Sequence, residues 1–149
     1  MHAPNLSLVG FGDIHTQSVD DWQQFKVEGQ QFLSLAERAF LRGQKTFTPD
    51  ILYNLIAMAI EKMVMSALMA IGRLPYNHTM HDLVAALEHW LPETVHGMEE
   101  SIRSLDSYQD ICDPYAYSIR VPTSEEIAGM LTLARQLEQR FDAAARSQG

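Results

Sequence analysis

The apolar segment Ile51–Ile71 constrains the fold more than any other part of this sequence. Thr48 can cap a helix and Pro49 suits the first helical position, while Gly72 and Pro75 act as stop signals at the other end. The apolar positions leave only a narrow polar edge, which is typical of a helix that touches neighbours on several sides. We therefore predict a central helix with other helices gathered around it.

The same segment is the only one that suggests a membrane span, but its polar residues argue against that interpretation. It carries Asn54, Glu61, Lys62 and Ser66, and a charge at the centre of a bilayer costs about 2.5–3.5 kcal/mol. Residues 6–11 are too short for the apolar core of a secretory signal and follow no basic segment. We expect a cytoplasmic protein without a membrane segment.

The first helix is predicted from about Ser18 to the stop residue Gly43, with Asp20 and Asp21 in its first turn. Its inner face recurs at steps of three and four residues. Gly29 lies on that face, where it indicates either a close helix crossing or a weak position that the helix tolerates. The members of the face are Trp22, Phe25, Gly29, Phe32, Ala36, Ala39 and Phe40.

Three more helices follow the central one. The third begins at Thr79 as its cap and ends at Pro92, and the fourth runs from about Glu93 to Tyr108. Residues 109–122 are predicted as a loop, after which Thr123-Ser-Glu-Glu126 matches a capping box that opens the last helix. The inner face of the third helix is predicted to hold Leu83, Val84, Leu87, Trp90 and Leu91.

These patterns indicate an all-α fold, an antiparallel up-down bundle of four to five helices. A chain of 149 residues suits one domain, so residues 1–149 are read as a single unit. Residues 1–15, with Pro4, Gly10 and Gly12, are predicted to form an irregular N-terminal arm. The apolar residues of that arm suggest that it packs on something, and a partner subunit is one candidate.

The net charge of −8 and the lone cysteine restrict the function classes. A negatively charged chain has no general attraction for phosphate backbones. Cys112 excludes an internal disulfide and suits a reducing compartment, and no neighbouring residue in the sequence activates it as a nucleophile.

Arg73 and His78 flank the break after the central helix and are the first candidates for chemistry. A guanidinium that holds a scissile phosphate and an imidazole that moves a proton could together cleave RNA. The alternative, which we favour, is an arginine that interacts with the helix dipole beside a loop histidine.

Two metal hypotheses also arise, and we favour neither. His78, His81 and the adjacent Asp82 offer too few ligands for a zinc site. Glu93 and His96 form one Glu-x-x-His pattern of the kind found in di-iron bundles, where Glu61 and Glu37 could add carboxylates, but a second copy is missing. We expect no metal and no cofactor.

Several of these segments together resemble the HEPN family (higher eukaryotes and prokaryotes nucleotide-binding domain). The stretch Leu55–Gly72, then Leu74-Pro75 and His81-Asp82-Leu83, is similar to the family's helix, break and Thr-His-Asp-Leu opening, although Met80 stands between Thr79 and His81. Leu105-Asp106 and Thr123–Glu126 are similar to the family's Leu-Asp turn and final helix. The resemblance spans about residues 20–145.

The resemblance implies a bundle of about five helices that pairs as a homodimer. Relatives sit beside a minimal nucleotidyltransferase or act as metal-independent RNases in toxin–antitoxin and defence systems. The RNase branch commonly has Arg-Asn-x3-His at the start of a later helix, whereas here Leu74 follows Arg73 and the pair precedes the His81-Asp82-Leu83 helix.

The leading hypothesis is a non-catalytic HEPN-like dimer that binds a nucleotide-like ligand or a partner protein, such as a minimal nucleotidyltransferase. Its ligand site would include Arg73, His78, His81 and Asp82. The first alternative is an endoribonuclease that uses Arg73 and His78, with RNA as its substrate. The second is a metal-binding or purely structural helical partner.

Overall fold

The protein is a bundle of antiparallel helices, and the structure, a computed structural model, describes its residues 21–108 and 120–147. The α-helices of this described part are, in chain order, α1 Trp22–Arg42, α2 Pro49–Ala70, α3 Met80–Trp90, α4 Pro92–Val95, α5 Glu99–Arg103 and α6 Ser124–Ser147. A 3₁₀-helix, Ser104–Tyr108, continues α5. The described ranges contain no β-strand, so the predicted all-α bundle is confirmed.

The helix α2 is the centre of the bundle, as its sequence predicts. It packs against α1, α3 and α6, and eleven of its residues are buried. By length and composition it is also the one helix of the described chain that could cross a membrane, but 56% of its most apolar window is buried inside the bundle. This burial is what a core helix shows.

The crossing of α1 and α2 is close, which is the first of the two interpretations of Gly29. A Cβ added at Gly29 would lie 2.9 Å from Met63 Cγ and 3.1 Å from the carbonyl oxygen of Ala59. Beside the crossing, the Lys62 ammonium pairs with Glu28 of α1 at 2.6 Å and lies over the Phe25 ring. The positive charge of Lys62, in the middle of α2, is therefore neutralised by a residue of the same chain.

The helix boundaries agree with the capping signals in most places. Gly43 ends α1 in the left-handed conformation with φ 62°, and the capping box opens α6 because Thr123 and Glu126 accept each other's backbone N–H. The predicted acidic first turn of α1 is wrong, since Asp21 is the N-cap residue and the helix begins at Trp22. Ser18, Asp20, the predicted arm and Cys112 lie outside the described residues.

The predicted fourth helix is wrong as one continuous element. Gly97 adopts φ 81° and His96 is extended with ψ 124°, so the chain breaks after Val95 and restarts at Glu99. A left-handed glycine ends helices because it has no Cβ to clash. The segment 92–108 consists of α4, α5 and the 3₁₀-helix.

Candidate functional site at the junction of α2 and α3

The chain leaves α2 through a glycine turn that brings Arg73 to the surface. Gly72 has φ 75°, and the backbone N–H of Arg73 donates to the Leu68 carbonyl at 2.9 Å. This pattern ends a helix by satisfying its last carbonyls, and it favours glycine at the left-handed position. Arg73 is therefore exposed directly beyond the end of the central helix.

Arg73 stacks on an indole ring. Its guanidinium carbon lies 3.8 Å from the centroid of Trp90, and His89 meets the same ring edge-on at 4.4 Å. Trp90 is 38% exposed, so its predicted place on the inner face of α3 is wrong. At the last turn of α3 its ring forms a half-exposed surface that attracts the arginine cation.

His78 binds a different group. Its Nδ1 lies 2.6 Å from Glu61 Oε1, and the imidazole is 60% exposed. The structure therefore gives Arg73 and His78 separate partners, Trp90 of α3 and Glu61 of α2, and records no contact between the two side chains.

The start of α3 uses the other two predicted ligand-binding residues. The Thr79 hydroxyl oxygen accepts the Asp82 backbone N–H at 3.1 Å and donates to the Asp82 carboxylate at 3.0 Å. His81 Nδ1 lies 2.6 Å from Asp106 Oδ2. The Asp82 and His81 side chains thus contact Thr79 and Asp106, the two residues that accept backbone N–H groups at the start of α3.

Asp106 belongs to the Leu105-Asp106 motif of the family resemblance, but its role at this junction was not predicted. Its two carboxylate oxygens accept the backbone N–H groups of Met80 at 2.9 Å and His81 at 3.0 Å, in addition to contacting the His81 ring. The aspartate of the Leu105-Asp106 turn therefore caps α3 from a distance in sequence. The unpaired donors at the start of α3 were a signal that some acceptor was needed, but the sequence did not say which one.

A neighbouring buried contact holds the same turn. The Tyr53 hydroxyl of α2 donates to the Leu105 carbonyl at 2.6 Å, and its ring packs on Tyr108 with centroids 5.3 Å apart. Burial raises the pKa of Tyr53 to about 12, assisted by the negative charge of Asp106. The start of α3 and the Leu105-Asp106 turn of the 3₁₀-helix thus form one structural unit.

A second charged cluster lies at the start of α6. Tyr108 donates to the Glu126 carboxylate, which also pairs with Arg120, and the Arg120 guanidinium lies 4.7 Å from the Tyr108 ring centroid. The Tyr108 hydrogen bond lowers the pKa of Glu126, and burial raises that of Tyr108. All three groups satisfy one another.

The residues considered for metal binding are distributed among different partners. Glu37 forms an ion pair with Arg135 of α6, and Glu61 is the partner of His78. The backbone carbonyl of His96 accepts a hydrogen bond from Arg140. Within residues 21–108 and 120–147, no three His, Cys, Asp or Glu side chains are placed to hold a metal ion together.

An apolar concavity lies beside this junction, and its lining includes Ile71 and Leu91, the chain neighbours of Gly72 and Trp90. It has a volume of about 290 Å³ and is walled by the first turns of α1, the second half of α2 and the last turns of α6. A shallower groove between α1 and α6 contains Leu41 and Arg135. Neither includes Arg73, His78, His81 or Asp82.

Comparison with known proteins does not add a relative: no protein family, no curated protein and no solved structure matches this chain.

Proposed function

We propose that this protein is a non-catalytic, HEPN-like binding module of the cytoplasm that works as a homodimer and acts on a partner protein by binding it. The observation that carries the non-catalytic part is the separation of Arg73 and His78 onto two partners. A minimal nucleotidyltransferase is the kind of partner that the family resemblance suggests.

The geometry at the junction argues against RNA cleavage. Metal-independent cleavage needs a guanidinium and an imidazole directed at the same phosphate. Here the guanidinium lies over Trp90, whereas the imidazole contacts the carboxylate of Glu61. A carboxylate beside the imidazole would also repel an approaching phosphate, as would the net charge of −8.

A binding role is supported by an apolar stripe on the outer side of α2. Ile51 and Met58 are 40% and 41% exposed, and Leu55 between them is half-buried. Steps of four and three residues place these side chains on one helix face. A second copy of the chain could cover these side chains by presenting the same face, as in the two-fold dimers that are the commonest oligomers.

Sedimentation equilibrium or light scattering tests the dimer. We expect the wild-type protein to have about twice the 16.9 kDa mass of one chain, and Ile51→Glu with Met58→Glu to reduce it to a monomer. Leu41→Glu is the matched control, because Leu41 is 82% exposed but lies in the α1–α6 groove. A wild-type monomer, or dissociation by the Leu41 change alone, would contradict the proposed face.

An RNA cleavage assay tests the catalytic alternative. We expect single-stranded RNA incubated with the dimer to be cleaved no faster than with Arg73→Ala or His78→Ala. Arg38→Ala serves as the control for loss of charge, since Arg38 is an exposed α1 residue far along the chain from the junction. Cleavage that disappears in the Arg73 and His78 variants but persists in the Arg38 variant would replace our proposal with the endoribonuclease.

A further inference from the structure

The apolar pocket between α1, α2 and α6 has a lining that suits uncharged, apolar groups. Its walls include Trp22 of α1, Met63 and Ala67 of α2, Ile71 directly after α2, and Phe141 of α6. Its volume of about 290 Å³ is just below the range of about 300–1,000 Å³ for ligand sites. A few side chains fit such a space better than a cofactor does.

The charged side chains in the lining and the Ser66 hydroxyl already have partners. The Ser66 hydroxyl donates to the Trp22 carbonyl at 2.8 Å, and Lys26 pairs with Asp142 at 3.2 Å. Glu138 pairs with Arg135 at 2.8 Å. A charged ligand would have to break one of these pairs, whereas an apolar one would leave them intact.

The chain carries an apolar segment that ends ten residues before Asp21, the N-cap residue of α1. Residues 5–12 contain no charged side chain, and four of them, Leu6, Leu8, Val9 and Phe11, are apolar. Phe11 precedes Asp21 by ten residues, a length that can extend about 33 Å. Because α1 begins at Trp22 and Trp22 lines the pocket, this length is sufficient for the segment to turn back and reach it.

We propose that the segment Leu6–Phe11 occupies this pocket in its own chain. Covalent attachment beside the pocket gives the segment a local concentration in the millimolar range, which favours it over the same segment of another molecule and over free apolar ligands. Burial of its side chains adds apolar contact between the ends of α1, α2 and α6. The proposal is independent of the dimer and of the junction at Arg73.

Tryptophan fluorescence of the full chain tests occupancy. In a Trp90→Phe background, Trp22 is the reporter on the pocket wall. We expect Phe11→Asp to shift the Trp22 emission to longer wavelength and to lower the urea midpoint. Asn5→Asp is the matched control, because it adds the same charge just outside the segment. Equal emission and midpoint in the two variants would overturn the proposal.

Disulfide trapping tests whether the segment binds its own chain. In a Cys112→Ser background, we expect Ser7→Cys with Ala145→Cys, a pocket residue, to form an intramolecular disulfide under mild oxidation. Cross-linking requires the Cα atoms to come within about 7 Å. The pair Ser7→Cys with Gln136→Cys is the control, since Gln136 lines the other groove. A concentration-dependent covalent dimer, or equal trapping at both sites, would overturn the intramolecular assignment.

Discussion

Gly29 shows how a single missing side chain sets the distance between two helices. Its absent Cβ would meet Met63 and the backbone carbonyl of Ala59 at 2.9 and 3.1 Å. The methionine can move, but the carbonyl belongs to α2 and cannot move alone. Gly129 in α6 is its opposite, because a Cβ there would meet nothing within 4 Å.

We expect Gly29→Ala to destabilise the protein and Gly129→Ala to stabilise it. Overpacking at a helix crossing costs about 1–3 kcal/mol, which outweighs a gain in helix propensity of roughly 1 kcal/mol. At Gly129 only the propensity gain remains. Urea unfolding of both variants checks this, and a stabilised Gly29→Ala would show that the crossing has room to relax.

Because of Tyr53, the free energy of unfolding depends on pH in the alkaline range. Its pKa in the folded protein is about 12, above the ordinary value of 10, so the folded state holds the phenolic proton more tightly. The stability that this provides is complete below pH 10 and is lost as the pH rises from 10 to 12. The physical cause is a buried hydroxyl that donates to the Leu105 carbonyl near Asp106.

We expect the free energy of unfolding to fall by about 1 kcal/mol between pH 9 and pH 11 through this group. The decrease should be smaller in Tyr53→Phe, which loses the titrating group but leaves the Leu105 carbonyl unsatisfied at a cost of about 1–3 kcal/mol at neutral pH. Urea titrations of both proteins at the two pH values provide the measurement. If the free energy of unfolding decreases equally in the wild type and in Tyr53→Phe, groups other than Tyr53 cause the pH dependence.

At the scale of elements, α3 depends on an acceptor that lies outside it. Asp106 binds two of its first backbone N–H groups and the His81 ring, while Thr79 caps from within the sequence. A helix of 11 residues is too short to be stable alone in water, so these terminal contacts and the buried face of α3 maintain it.

We expect Asp106→Ala to lower the free energy of unfolding by about 1–3 kcal/mol, because it leaves backbone donors without a partner. His81→Ala removes only a 63% exposed imidazole from the same carboxylate, and exposed ion pairs contribute about 0–1 kcal/mol. The test is to measure the free energy of unfolding of both variants and compare the two losses. A larger loss from His81→Ala would show that the ring contact, rather than the cap, holds α3.

The elements that could be predicted from sequence are those with local signals. The limits of α2, the cap at Thr79 and the capping box at Thr123 depend on residues a few positions apart, and all three are confirmed. The break at Gly97 was not predicted, because glycine inside an apolar pattern is also tolerated in helices. The role of Asp106 could not be predicted, since its partners lie 25 and 26 residues away.

At the scale of the whole molecule, α2 couples the remaining elements. It contacts α1, α3 and α6, and Arg135 of α6 joins α1 through Glu37. Trp22 begins α1 and Trp90 ends α3, so the two tryptophans report on elements that meet mainly through α2. A shared core of this kind is expected to unfold as one unit.

We expect the single-tryptophan variants Trp22→Phe and Trp90→Phe to unfold in one step each, with the same slope against urea. Their midpoints should each coincide with the loss of helical circular dichroism in the same variant. Two separate transitions, or fluorescence of Trp90 that changes before the helical signal, would mean that α3 detaches before the rest of the bundle.

The cluster of Tyr108, Arg120 and Glu126 has a practical consequence for engineering. Tyr108 and Arg120 stand at the two ends of residues 109–119, and both are fastened to the same carboxylate in α6. Because the ends are tied, doubling the length of the chain between them costs only about 0.6 kcal/mol of closure entropy. This makes the interval a suitable insertion point for a reporter peptide or an affinity epitope that leaves the helices unchanged.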